Sequence, residues 1–185
     1  MKSFQSRWLA SGALFAAALS FSLVAAAKLS TTGTPTAGFN ASGPGGINIT
    51  GKTSDLKVAD DGKLLTITVG LTSLDTGMEL RNKHTKEAIE TDKFPTAELT
   101  VARSELKFPA AGAESSGDAK GKLKIHGQTK DVSFHYTAKL DGDTLAIKGS
   151  SKVDMTEFGI KTPSYLGVGV KPGIELTVNF HAKDN

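Results

Sequence analysis

Arg81 and His84 lie three residues apart in TGMELRNKHTKE, residues 76–87, the most polar interruption of a chain that otherwise alternates. On a helix that spacing puts both side chains on one face. Arginine offers a planar fork of donors to a carbonyl, carboxylate or phosphate. The spacing alone leaves two readings open: a contact for an oxygen-rich group, or the solvated face of a connecting helix. The other histidines, His126, His135 and His181, stand out of phase with their apolar neighbours, which places them on the wet faces of strands. No two histidines have H-x-x-x-H or H-x-H spacing and the chain has no Cys, so no metal site is expected. There is no G-x-S-x-G, no carboxylate pair suited to acid–base work, and no Gly-rich phosphate loop between a strand and a helix. The expectation is a protein with no catalytic residues and no obligatory cofactor, not an enzyme.

The elements that carry these residues follow from periodicity. KLLTITVGL (63–71) puts Leu65, Ile67 and Val69 on one face. FPTAELTVA (94–102) groups Ala97, Leu99 and Val101, and KGKLKIH (120–126) sets Leu123 and Ile125 against lysines. DVSFHYTAKL (131–140) turns Val132, Phe134 and Tyr136 inward, and Asp141-Gly142-Asp143 then marks a hairpin before Leu145 and Ile147. GIELTVNFH (173–181) aligns Ile174, Leu176, Val178 and Phe180. Period two with one wet face means antiparallel sheet, and turn signals at this spacing mean an all-β barrel or sandwich. Gly43-Pro44-Gly45-Gly46 is a turn, and AAGAESSG (110–117) is expected to be a loop. Within 76–87 the period changes. Thr76 followed by Glu79 reads as a capping box, and the helix formers after it predict a short helix over about 77–90 that must stop before Phe94-Pro95.

The first 27 residues carry an address. Lys2 and Arg7 precede WLASGALFAAALSFSLV, which runs without charge to Ala25-Ala26-Ala27. A basic start, an apolar run and a small-residue end make a secretory signal peptide. Residues 1–27 are thus read as cleaved and 28–185 as one domain, exported to the periplasm or beyond. Cleavage takes two of the 22 basic residues and none of the 19 acidic ones, so the mature charge is 20 − 19 = +1, which gives no case for nucleic acid. A lipid-facing barrel is excluded as well. Lys122, Lys124, His126, His135, Lys139 and Lys148 would point into hydrocarbon, at roughly 2–4 kcal/mol per cation near the midplane.

Three blocks in order resemble one family. TGMELRNKHTKEAIETDKFPTAEL (76–99) is similar to its TGxxxRDxHL…P…F block, GKLKIHGQTKDVSF (121–134) to its glycine hairpin, and EFGIKTPSYLGVGVKPGIELTVNF (157–180) to its D/E-F-G-I…V-E-L end. The family is the YceI-like proteins, periplasmic, lipocalin-like and polyisoprenoid-binding. The usual Asp after the Arg is Asn82 here, and the usual aromatic pair is Ala88-Ile89. The resemblance implies an eight-stranded antiparallel lipocalin-like barrel with one short helix between strands. It also implies an apolar cavity for an isoprenoid-type amphiphile, a bound isoprenoid or quinone-like lipid, and transient membrane contact. Members often form homodimers. The inward residues expected to bind the lipid are Leu65, Ile67, Val69, Leu99, Leu123, Ile125, Phe134, Tyr136, Ile147, Ile174, Leu176 and Phe180. Arg81 and His84 are expected at the mouth, against the head group. The alternative kept open is a filled β-sandwich for protein interaction. The exported protein should begin at Lys28; intact mass and N-terminal sequencing of periplasmic material check this, and retention of Trp8 would refute it.

Overall fold

The computed structural model of the protein describes residues 28–165 and 168–184. The expected signal peptide lies outside the described residues. In chain order come β1 (Leu29–Ser42), β2 (Asn48–Thr53), β3 (Leu56–Asp60), β4 (Leu64–Gly70), α1 (Glu79–Ala88), β5 (Thr96–Ala102), β6 (Glu114–Ile125), β7 (Gln128–Asp141), β8 (Thr144–Asp154), β9 (Ser164–Tyr165), β10 (Val168–Gly169) and β11 (Gly173–Asp184). β9 and β10 pair with each other; the other nine strands form one sheet in the order β2-β1-β11-β8-β7-β6-β5-β4-β3. Neighbours in that sheet run antiparallel.

The sheet curls into a nearly closed barrel. Its two edge strands, β2 and β3, are consecutive in the chain and both lie against β1. β2 takes the C-terminal half, from Ala37↔Thr53 to Ser42↔Asn48. β3 takes the N-terminal half through side chains. The Val58 amide donates to the Thr31 hydroxyl at 3.1 Å, and the Leu29 amide donates to the Asp60 carboxylate at 3.3 Å. The sheet has nine strands and not the expected eight, because the second strand is broken at Ser54-Asp55. There the Asp55 amide turns to the Thr53 hydroxyl (3.0 Å) and its carbonyl accepts from Gly70 N–H (2.8 Å). β1 bends at the same level, with a register shift between Thr32 and Thr36 around Gly33 in the left-handed region (φ 68°).

Alternation then does the rest. β4 and β5 face Leu65 to Val101, Ile67 to Leu99 and Val69 to Ala97, so cross-strand neighbours pack inside. Two groups of buried side chains result. One holds Leu29, Leu65, Ile67, Leu145, Phe180 and Ala182. The other holds Leu123, Ile125, Val153, Met155, Phe158 and Ile160, and Leu99 packs against both. Phe158 and Phe180 are each only 1% exposed, and burying such a ring stabilises by about 2–3 kcal/mol. Phe158 belongs to a 3₁₀ turn, Met155–Phe158, which the Asp154 carboxylate caps by accepting from Thr156 N–H at 2.8 Å.

Two local expectations are corrected. Residues 110–117 are not all loop: Glu114–Gly117 pair with Tyr136–Lys139, extending β6. Serine and glycine conceal the strand, because they carry no apolar side chain to mark its phase. The helix is shorter than 77–90 and lacks the capping box. Its N-cap is Met78, and the Thr76 hydroxyl and amide both donate to Asn82 Oδ1 (2.7 and 2.6 Å). With the helix capped at Met78, Thr76 lies two residues before the cap, and its hydroxyl donates to the Asn82 side chain and does not accept from a helix amide.

Asp60 ties the barrel shut at one end. Its carboxylate is fully buried, accepts from Leu29 and Gly62 N–H (3.3 and 2.9 Å), and pairs with the Arg103 guanidinium. Arg103→Ala leaves that carboxylate buried without its cation. Such a loss costs about 3 kcal/mol or more when complete, and the part-exposed Arg103 places it at the low end. Urea unfolding should show a lowered midpoint with the slope unchanged.

Candidate functional site

The barrel holds an apolar cavity of about 170 Å³. Of the twelve apolar positions expected inside, eleven line it: Leu65, Ile67 and Val69 on β4, Leu99 on β5, Leu123 and Ile125 on β6, Phe134 and Tyr136 on β7, Ile147 on β8, and Leu176 and Phe180 on β11. Ile174 does not line it; it packs against the second core group, beside Val153 in the β8 register.

Sequence reasoning assigned the large residues to the lipid; it grouped Ala97 with Leu99 and Val101 but left it, and the other small residues that make the room, out of the binding set. Ala37 and Gly38 on β1, Ala97 on β5, Ala138 on β7 and Gly149 on β8 also line the cavity. An eight-stranded barrel of ordinary girth is just wide enough for side chains to fill it. Small residues at these positions leave it hollow. A glycine carries no periodic signal of its own, so no pattern pointed to Gly38 or Gly149. Phe39 was missed because β1 is rich in Thr, Gly and Ser; its ring packs so close to Gly51 that a Cβ there would clash with it. Among the lining residues only Glu98 and Lys107 are charged.

Lys107 belongs to the segment from Arg103 to Ala113, which links β5 to β6 and was also missed. Leu106, Lys107 and Phe108 form part of the wall. The Lys107 amide donates to the buried Tyr136 hydroxyl at 2.6 Å, and its carbonyl accepts from the Ser115 hydroxyl at 2.6 Å. The Arg103 guanidinium lies over the Phe108 ring, 4.5 Å from its centroid. Tyr136 thus presents its ring to the cavity and spends its hydroxyl on the connecting segment.

Arg81 and His84 are not in the cavity wall. No residue of α1 is buried, so the helix is attached chiefly through its flanks. Arg81 is folded back on its own helix start, donating to the Thr76 carbonyl (3.3 Å) and the Met78 sulfur (3.0 Å). His84 is exposed one turn further on. The start of the helix is held by a polar knot of its own. Asn82 is its centre: it accepts from Thr76 and donates through Nδ2 to Asp75 at 2.8 Å.

His135 and His181 are exposed, and His135 bonds Asp118 (2.9 Å) and Ser116 (3.2 Å). His126 corrects its expectation, since it does not lie on a wet strand face. With Gly127 it forms the two-residue turn between β6 and β7, both at positive φ (52° and 74°), as a type I′ turn requires. The turn folds the ring against Phe94 (centroids 4.6 Å apart), with Nδ1 3.1 Å from the Phe158 carbonyl. Among the described residues no three of His, Asp and Glu gather as metal ligands would.

A hollow antiparallel barrel with a dry wall is the architecture of a lipocalin-like carrier, and the comparison with known proteins agrees with that geometry. The family model of the YceI-like domain matches residues 22–182. The chain belongs to the YceI-like family. A polyisoprenoid-binding domain from Saccharophagus degradans, implicated in plant cell wall breakdown, superposes with a TM-score of 0.70 at 13% identity, over 86% of this chain and 99% of that one. BcnA of Burkholderia cenocepacia gives 0.65 at 17% identity, over 80% and 96%. The Campylobacter jejuni YceI protein gives 0.58 at 18% identity, over 75% and 86%. At such identities these likenesses speak to the fold. Among curated proteins no relative matches this chain. The YceI-like barrel is thus shared, while the filled sandwich kept open above is overturned by closure around a cavity.

The Asp75 knot can be read by titration. The Asn82 side-chain amide, and next the Gly77 backbone N–H, hold the Asp75 carboxyl below the ordinary aspartate value. A lowered folded value means this contribution to stability is present above the ordinary pKa and is lost as pH falls through the lowered one. Asn82→Ala should move the Asp75 midpoint, followed by NMR, back up toward the ordinary value; an unmoved midpoint would disprove this origin.

Proposed function

We propose that this YceI-like barrel holds an isoprenoid-type amphiphile in its cavity and keeps it dry in an exported, periplasmic compartment. One observation carries the reading: a wall built of aliphatic and aromatic side chains from β1, β4, β5, β6, β7, β8 and β11, with only two charged residues among those that line it. Each buried CH₂ gains about 0.8 kcal/mol against water. Against a membrane, where the chain is already dry, that gain largely cancels. The protein's task on this reading is to offer a second dry place, so a lipid can be stored or moved through water with transient contact at the membrane. Such a task calls for binding and no catalysis, which agrees with membership of a family of binding proteins. Pairing of two barrels as a homodimer belongs to the same reading.

Native mass spectrometry of protein exported from cells, without detergent, should show a lipid-sized mass addition, or uptake of farnesol or a longer prenol offered later. Ala97→Trp places an indole in the cavity and supplies the only Trp of the chain from residue 28 on. It should lower prenol affinity about tenfold or more while unfolding stays cooperative. Full affinity in that variant would move the ligand out of the barrel.

A further inference from the structure

We infer that the cargo enters and leaves sideways, between β5 and β6, beneath the strap formed by Arg103–Ala113. The inference rests on the lipid-binding reading and deepens it by naming the route.

The first support is the sheet itself. β5 and β6 pair over only three positions, Glu98↔Lys124, Leu99↔Leu123 and Thr100↔Lys122. β6 continues back to Glu114, and from Gly121 to Glu114 its ladder partners all lie on β7. The edge that faces β5 over this stretch carries no strand, and the strap crosses it instead. The second support is that the barrel's ends are plugged. Met155, Phe158 and Ile160, just past the end of β8, are buried with Leu123 and Ile125, and Leu29, Leu145 and Ala182, at the opposite strand ends, are nearly or wholly buried. The third is Phe108, which lines the cavity yet is 37% exposed. A side chain that touches both the interior and the solvent marks the opening.

The way the strap is fastened shows how it can move. Its start is anchored through Arg103, whose amide donates to the Lys63 carbonyl at 2.8 Å and whose guanidinium pairs with Asp60. Its end is anchored on β7, Gly112 N–H donating to Leu140 O (3.0 Å) and Leu140 N–H to Ala113 O (3.1 Å). Between the anchors, the two hydroxyl bonds of Lys107, to Tyr136 and Ser115, hold the strap to the hairpin. Both bonds are of a kind that water replaces when they part. The Phe108 ring then swings with the segment, while the β6–β7 ladder and the core stay as they are. A slender, flexible cargo fits such a slot; a rigid polycyclic one does not.

Stopped-flow fluorescence with a dansyl-labelled prenol tests the route. Ser115→Ala removes half the latch, and Ser115 does not itself line the cavity. Association and dissociation should both quicken, by about three- to tenfold, with Kd within about twofold. Leu80→Ala, on the exposed face of α1, should leave both rates unchanged. A change in association with Leu80→Ala and none with Ser115→Ala would place entry at the helix-bearing end and overturn the inference. A second readout needs no ligand. Hydrogen exchange at the Lys107 amide should quicken in Ser115→Ala and in Tyr136→Phe, while exchange along β7 and β8 stays slow. Unchanged Lys107 exchange overturns the latch itself. Absence of any prenol uptake by the unaltered protein, with Lys107 exchange quickened as expected, overturns the cargo reading and leaves a moving strap.

Discussion

An open sheet edge presents a row of unpaired amides and carbonyls, and beside a cavity these must find other partners. In this protein the seam between β1 and β3 is where that constraint is met. The two strands are not ladder neighbours, so side chains take the backbone's place. Thr31 accepts from Val58, and Asp60 accepts from Leu29 and Gly62. A buried carboxylate needs a cation, and Arg103 supplies it from the far side of β5. The same arginine covers Phe108, so the group that closes the barrel also places the segment over its side opening. Closure and access are thereby tied to one charged pair.

The cavity follows from a balance of volumes. Large aliphatic residues on β4, β6 and β11 keep the wall dry, and small residues on β1, β5, β7 and β8 keep it from meeting in the middle. An apolar void of this kind loses dispersion contacts along its lining and gains nothing from water. A hydrocarbon chain restores those contacts, which gives the hollow barrel a preference for flexible apolar cargo. The single latch tyrosine fits the same logic. Its ring faces the void, and its hydroxyl, which would be costly to bury unpaired, accepts from Lys107.

Much of this was legible before any coordinates. Strand phase was correct on β4, β5, β6, β7, β8 and β11, and the Asp141-Gly142-Asp143 turn and the stop before Phe94-Pro95 both appear. The failures at polar side chains share a cause. Thr76 and Glu79 have the spacing of a capping box, yet Asn82 captured the hydroxyl. His126 has the phase of a wet strand residue, yet the I′ turn rotates it onto Phe94. Each misreading concerned a polar side chain, whose partner is chosen among several within reach.

The sequence by itself determined which residues face inward, that the sheet is antiparallel, and that one polar helix interrupts it. These are period-two and period-3.6 properties, readable within a single segment because side-chain direction is fixed by local backbone geometry. The tertiary structure decided that nine strands replace eight, that the seam closes on Asp60 and Arg103, that the interior is left hollow, and that a strap covers the gap between β5 and β6. Those outcomes are sums over residues far apart in the chain. Leu29, Asp60 and Arg103 meet only when the sheet curls, and unfilled volume belongs to no single strand.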